Sequence, residues 1–323
     1  MPKGELTTVQ SFFSSRPIWR RVASALVLVL SVGFLIGKAC TSWNSLRDYD
    51  WQIQSIYLLP SFGLFLVQLL VVTRGWQLIM DHLAEPIPFF GHLKIYGYTN
   101  LLRRIPAGML WLVIGRMSAY KDRSMPKRTL AFASFLEMWL VTLTGIPLAA
   151  AGSIWLGLVS GPAGTILVLA ALAAVIAGVY PAVVHRAMRL TGQPELRDYL
   201  RYRDTLLWAL VYTMIWIIGG GGLYLITCLF GNVPIQALPQ AVSVFVMSTL
   251  VAYLTIISPS GLGVKEVSIT FLLGLFLPDP VPLLSALGMR IVWTGYDVII
   301  GIVAWLLTTT QAEKNEKVET EHS

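Results

Sequence analysis

The sequence predicts an all-α polytopic membrane bundle of about seven to eight spans, with two elements interrupted at Pro-x-Gly, and three observations carry that expectation. Of 323 residues, 55% are hydrophobic and 13% charged, and the mean hydropathy is +0.68. Seven apolar runs are each long enough to cross a hydrocarbon core of about 30 Å, which takes about 20 helical residues. Two further apolar stretches are broken by the same short motif.

The first run, 18–38, follows Lys3, Arg16, Arg20 and Arg21. It reads as a retained signal anchor, because it is about 20 residues long and lacks a small-x-small cleavage pattern. Lys38, two before Cys40, argues against lipoprotein processing. The second run is 53–73. The third, 129–152, is preceded by Lys121, Arg123, Lys127 and Arg128. The fourth is 162–184, and the fifth, 206–230, is preceded by Arg186, Arg189, Arg197, Arg201 and Arg203. The sixth and seventh are 236–257 and 283–309. By the positive-inside rule the three basic stretches face the cytoplasm, and with them the N-terminus. The connections at 157–162 and 231–239 hold no Lys or Arg, so the alternation is self-consistent and the membrane is the cytoplasmic one. Residues 1–17 form a cytoplasmic segment, 18–309 the membrane domain and 310–323 a polar tail. Placing the tail in the cytoplasm requires 258–277 to complete a crossing.

Between the second and third spans the stretch 92–119 contains Ile105-Pro106-Ala107-Gly108-Met109-Leu110, and beyond the sixth 258–277 contains Ser258-Pro259-Ser260-Gly261-Leu262-Gly263. Proline removes a backbone donor and glycine weakens a helix. Lipid satisfies no freed backbone group, so such a break is tolerated only where protein covers it or where it lines a watery cavity. Each stretch adds a re-entrant hairpin or a further crossing. Interrupted segments in corresponding halves are the pattern of an internal repeat and point to a transporter's binding site.

Other classes find little support. The net charge of +7 comes from bases beside membrane spans, where orientation and anionic headgroups explain it, so nucleic acid is excluded as a partner. Cys40 and Cys228 form no disulfide framework; two isolated thiols are the default, with a single bridge left open. His82, His92, His185 and His322 have no metal-ligand spacing and read as solvated or interfacial, so neither metal nor cofactor is expected. The run Gly219-Gly220-Gly221-Gly222 lies inside a span and serves close helix packing or bending. Gly219 reads as a helix-interior position that accepts alanine. No catalytic motif stands in a suitable context.

Charges inside the apolar segments carry more weight, since one at mid-bilayer costs about 2.5–3.5 kcal/mol on insertion scales. Arg103 and Arg104 adjoin the first break and Arg116 follows it. Glu137 lies in the third span, Lys265 and Glu266 follow the second break, and Arg290 and Asp297 share the last span. The last two are seven apart and therefore on one side of their helix. Five bases oppose three acids, so a cavity lined by all of them keeps positive charge for an anion, and arginine forks suit phosphate oxygens. Buried ion pairs that only hold helices together, and bases that snorkel to the interface, are the alternatives. The candidate substrate-binding set is Arg103, Arg104, Pro106, Gly108, Arg116, Glu137, Pro259, Gly261, Gly263, Lys265, Glu266, Arg290 and Asp297.

The order of Asn100, Pro106-x-Gly108, Arg116, Glu137, Pro259-x-Gly261-x-Gly263-x-x-Glu266 and Arg290 resembles the flippase-like transmembrane domain of the lysylphosphatidylglycerol synthase family. The resemblance covers most of the chain, and its most specific part is Pro259-Ser260-Gly261-Leu262-Gly263-Val264-Lys265-Glu266, similar to the family's Pro-Gly-Gly-x-Gly-x-x-Glu pattern. Two departures stand out. Met109-Leu110-Trp111 follows Gly108 where a glycine pair often follows in the family, and Met138 replaces an arginine after Glu137.

The resemblance implies a bundle with two interrupted elements that moves a lipid headgroup across the bilayer. The soluble aminoacyl-transfer domain of two-domain relatives is not expected, since about fourteen polar residues after the last span are too few to bury a core. The leading expectation is therefore a translocase for a membrane lipid or a polyprenyl-phosphate-linked lipid, working beside a glycosyltransferase or lipid-synthesis partner. A membrane subunit or catalyst in polyprenyl-phosphate sugar chemistry, and a structural or assembly protein, stay open as alternatives.

Overall fold

The computed structural model describes residues 18–51, 53–84, 86–102, 109–120, 125–190, 200–254 and 263–321. Among them there is no strand. The helices are α1 (Ile18–Thr41), α2 (Trp43–Arg47), α3 (Leu58–Leu83), α4 (Phe89–Leu102), α5 (Met109–Ala119), α6 (Lys127–Trp155), α7 (Pro162–Gly178), α8 (Pro181–Leu190), α9 (Tyr202–Phe230), α10 (Leu238–Leu254), α11 (Val264–Leu273) and α12 (Val281–Glu321). Single 3-10 turns, Ser55–Tyr57 and Ile235–Ala237, lead into α3 and α10.

Among the described residues five helical stretches are long and apolar enough to cross a membrane: Ser55–Leu83, Lys127–Trp155, Tyr202–Phe230, Ile235–Tyr253 and Val281–Ala304. The fold is that of a helical integral membrane protein. A sixth span results if α7 and α8 are taken together, but they are bent by 61°. The sequence expectation of one continuous run over 162–184 is corrected here. Pro181 has no N–H and disfavours helical backbone at the residue before it, so α7 stops at Gly178 and a new helix starts on the proline. Pro147 lies inside α6 without ending it. The last helix does not stop at 309 but runs on to Glu321.

Helix ends gather into two layers. At one end Lys38 pairs with Asp279 at 2.7 Å, the Ser42 hydroxyl donates to the same carboxylate, and the Gln54 amide N–H donates to the Leu229 carbonyl. Tyr49 there donates to the Phe230 carbonyl and Tyr224 to that of Val233. At the other end His82 lies 3.8 Å from Asp204, and the rings of Tyr180 and Tyr202 meet at 5.8 Å. Asp204 also accepts the Arg201 N–H and so caps the start of α9.

Helix α9 is the central pillar, packed against α3, α6, α10 and α12. Its four glycines make that closeness feasible: a Cβ on Gly220 would lie 2.4 Å from the Val242 Cα, and one on Gly222 2.7 Å from the Phe65 ring. The packing role expected of this run is what the structure has. Gly219, however, does not accept alanine freely, since its Cβ would lie 2.4 Å from the Phe245 ring and 2.6 Å from the Gln68 amide nitrogen. Helix propensity is overridden there by contact with neighbouring helices. Both cysteines are free, Cys40 exposed and Cys228 buried.

Candidate functional site

Two groups of buried charge lie where short helices meet long ones. The first is built on α5 and α6. The Arg116 side chain is fully buried, with its guanidinium carbon 3.9 Å from the centre of the Trp76 ring and 4.8 Å from that of Tyr96. Its Nη1 donates to Glu137 Oε2 at 2.5 Å and, more weakly, to Ser134 Oγ at 3.4 Å. The other carboxylate oxygen of Glu137 accepts the Tyr96 hydroxyl at 2.8 Å and the Tyr212 hydroxyl at 3.5 Å. Arg116 Nε and Nη2 are buried and have no acceptor among the described residues.

The surrounding rings are themselves fixed. Trp76 Nε1 donates to the Tyr120 hydroxyl at 2.9 Å, and that hydroxyl shares a 2.6 Å hydrogen bond with His92 Nδ1. His92 is therefore no interfacial residue, contrary to the sequence expectation: it is 1% exposed and belongs to the support of the Arg116 cage.

The second group is built on α11 and α12. Gly263 has a positive φ of 83°, a backbone region that favours glycine, and starts α11. Its N–H is accepted by Glu266 Oε2 at 2.8 Å, while Arg290 Nη1 donates to Glu266 Oε1 at 3.1 Å. Lys265 is buried with its ammonium 3.7 Å from the Trp293 ring centre and 4.4 Å from that of Phe245. Such cation–π contacts favour a charge held in apolar surroundings. Asp297 is also buried. Arg290 and Asp297 share a helix, but Arg290 is bonded across to Glu266 on α11.

The two groups are neighbours through α9. Tyr212 reaches Glu137, and one turn on, about 6 Å along the helix, Trp216 meets Phe245 with ring centres 6.1 Å apart. Trp216 is held by donation to the Val141 carbonyl and the Thr144 hydroxyl. Glu137 and Tyr212 each lie about 15 Å from the start of a helix of 29 residues, about a third of the way along it. Two surface clefts lie elsewhere, one of about 310 Å³ beside Gln54 and Asn232 and an apolar one of about 190 Å³ beside Phe135 and Trp139.

Of the sequence candidates, the structure thus brings together Arg116 with Glu137, and Gly263, Lys265 and Glu266 with Arg290. Arg103, Arg104, Pro106, Gly108, Pro259 and Gly261 lie outside the described residues. The described charges balance, with Arg116, Lys265 and Arg290 against Glu137, Glu266 and Asp297. The expected excess of positive charge rests on Arg103 and Arg104. Tyr96, Tyr212, Trp76 and Trp216 were missed, since an aromatic residue in an apolar run is most often plain core.

The Arg290–Glu266 bond carries an expected result. In a double-mutant cycle of Arg290→Gln and Glu266→Gln, measured by unfolding in micelles, the coupling falls between about 0.5 and 3 kcal/mol, and the cycle of Arg290→Gln with Asp297→Asn gives a smaller value. Equal coupling in the two cycles would contradict the observed pairing.

No protein-family model matches the chain, and no curated protein matches it significantly. The class that fold and site define is a helical integral membrane protein with charged residues buried inside its helical bundle.

Proposed function

We propose that this chain is a translocase for lipid headgroups in the cytoplasmic membrane, of the flippase-like kind that its two Pro-x-Gly motifs resemble. The observation that carries the reading is the Arg116–Glu137 pair, buried within the membrane bundle one turn of α9 away from the Lys265 group. Charged residues inside membrane segments mark substrate or ion pathways more often than scaffolding.

The topology supports it. Helices α4, α5 and α11, with 14, 11 and 10 residues, are about 21, 16 and 15 Å long, short of a 30 Å core. The start of α4 and the end of α5 meet through His92 and Tyr120, so this pair enters and leaves at the end that carries Asp204. The start of α10 follows Val233, and the chain after α11 reaches Asp279 beside Lys38, so the second pair enters and leaves at the opposite end. We read the pairs as opposed helical hairpins, of which α10 is the one member long and apolar enough to span, the arrangement of an inverted repeat with its site between them. Arg74, Lys94, Lys127, Arg128, Arg186, Arg189, Arg201 and Arg203 lie toward the Asp204 end, which is therefore the cytoplasmic one, with both termini there. The headgroup passes the buried charges while its acyl or prenyl chains stay in lipid.

The test is transport in liposomes holding purified protein and trace fluorescent phosphatidylglycerol or fluorescent polyprenyl phosphate. Dithionite added outside bleaches about half the label in protein-free vesicles. With protein the bleached fraction rises toward completion, and Arg116→Lys slows the rise about tenfold because its bidentate fork is lost. Bleaching equal to the protein-free control for both lipids, from folded protein, would overturn the reading. Sugar transfer to polyprenyl phosphate in place of movement would replace it with an enzymatic one.

A further inference from the structure

Three of the five N–H donors of Arg116 meet no acceptor among the described residues. Nη1 is taken by Glu137 and Ser134, whereas Nε and Nη2, which form the side fork of the guanidinium, are buried without an acceptor. Leaving buried donors unmade is costly, more so on a charged group. The side fork matches two oxygens of one phosphate, and the Trp76 and Tyr96 rings fix its plane.

Charge then decides what else must happen. Arg116 and Glu137 together are neutral, so an incoming monoanion leaves one net negative charge in a fully buried site. The low-dielectric interior penalises that heavily unless a proton is bound. From this balance we propose that Arg116 binds a singly charged phosphate group through Nε and Nη2, and that one proton from the aqueous phase is taken up on Glu137 as it binds. The proton enters with the anion and leaves with it; no covalent bond changes. Protonated Glu137 gives up its ion pair, which frees the Arg116 charge for the phosphate. The proposal deepens the translocase reading and rests on it only for the phosphate's being a lipid headgroup. It also supplies an energy source, a proton moving with each headgroup.

The groups that face this pair are few. Tyr96 from α4 and Tyr212 from α9 donate to Glu137, and Tyr120 at the end of α5 is bonded to Trp76 and His92 beside the pair. From α3, Arg74 is held by Gln77 and His82 lies beside Asp204, with Asp81 the remaining charge. Helix α7 carries no titratable side chain and α10 only Tyr253. Glu137 is thus the carboxylate in direct contact with Arg116.

The experiment is isothermal titration calorimetry of the full chain in micelles with dihexanoyl phosphatidylglycerol, a phosphodiester with no titrating group near neutrality. It is run between pH 5 and 9 and in two buffers of different ionisation enthalpy. Binding is expected to weaken about tenfold per pH unit over part of that range, with uptake of about one proton per ligand there. Glu137→Gln is expected to bind with a flat profile and no uptake, Glu137→Asp to keep the slope, and Arg116→Lys to bind at least about tenfold more weakly. A flat wild-type profile, or an unchanged slope in folded Glu137→Gln, would overturn the proposal. Competition by inorganic phosphate at equal concentration would mark the site as one for free phosphate rather than a headgroup, overturning the lipid assignment. Transport in liposomes without proton coupling would overturn this proposal and leave the translocase reading in place. Coupled binding without transport would do the reverse.

Discussion

Replacing Glu137 with alanine will lower stability by about 3–5 kcal/mol, because it leaves the fully buried Arg116 charge without its counter-charge. Arg116→Leu is expected to cost nearly as much, since Glu137 is then the stranded charge. The double replacement Arg116→Leu, Glu137→Leu removes both charges and recovers most of the loss, as buried pairs exchanged for apolar residues usually do. Recovery will be incomplete by about 1–3 kcal/mol, because the Tyr96 and Tyr212 hydroxyls, which donate to Glu137 at 2.8 and 3.5 Å, both lose that acceptor. Adding Tyr96→Phe should remove the share of the shorter bond and leave that of Tyr212. Denaturant titration in micelles measures the series. A Glu137→Ala protein as stable as the parent would mean that the pair is hydrated, and the buried site would fall with it. The stable apolar triple variant has a second use: on the translocase reading it folds but moves no lipid.

How far the sequence reaches depends on whether a feature is local. Apolar runs mark α3, α6, α9, α10 and α12, because the bilayer dictates length and composition one segment at a time. The bend before Pro181 was missed although it needs only proline chemistry, because the apolar run continues through it. The chemistry around Arg116 was not legible. Nothing in single-chain spacing says that Tyr96 and Tyr212, 116 positions apart, converge on one carboxylate. His92 was misread because the sole histidine signal sought was metal spacing, whereas its partner is a tyrosine 28 positions on. Arg290 shows the same limit from another side. Its seven-residue spacing to Asp297 correctly puts both on one helix, but the bond it makes is to Glu266 on the neighbouring helix.

Gly263→Ala is expected to cost about 2–4 kcal/mol, and two separate causes contribute. The φ of 83° lies in the region that L side chains adopt at a cost of about 1–3 kcal/mol. A Cβ built there would also lie 2.3 Å from the Ser31 Cβ on α1, so α1 and α11 must part or strain, and overpacking of that kind costs about 1–3 kcal/mol. The causes are separable because only one involves Ser31. Adding Ser31→Gly should return the steric share and leave the backbone share, so the double variant recovers part of the stability and no more. Gly33 and Gly37 on the same α1 are the controls: a Cβ on either has nothing within 4 Å, so alanine there should be neutral or mildly stabilising. The Glu266 carboxylate should report the same event, since it accepts the Gly263 N–H and Arg290 together. A turn pushed out of the positive-φ region swings that N–H away, and the Arg290–Glu266 coupling should shrink in the Gly263→Ala background. Full recovery by Ser31→Gly, with that coupling unchanged, would show that crowding alone matters and that the special backbone of the second hairpin carries no weight.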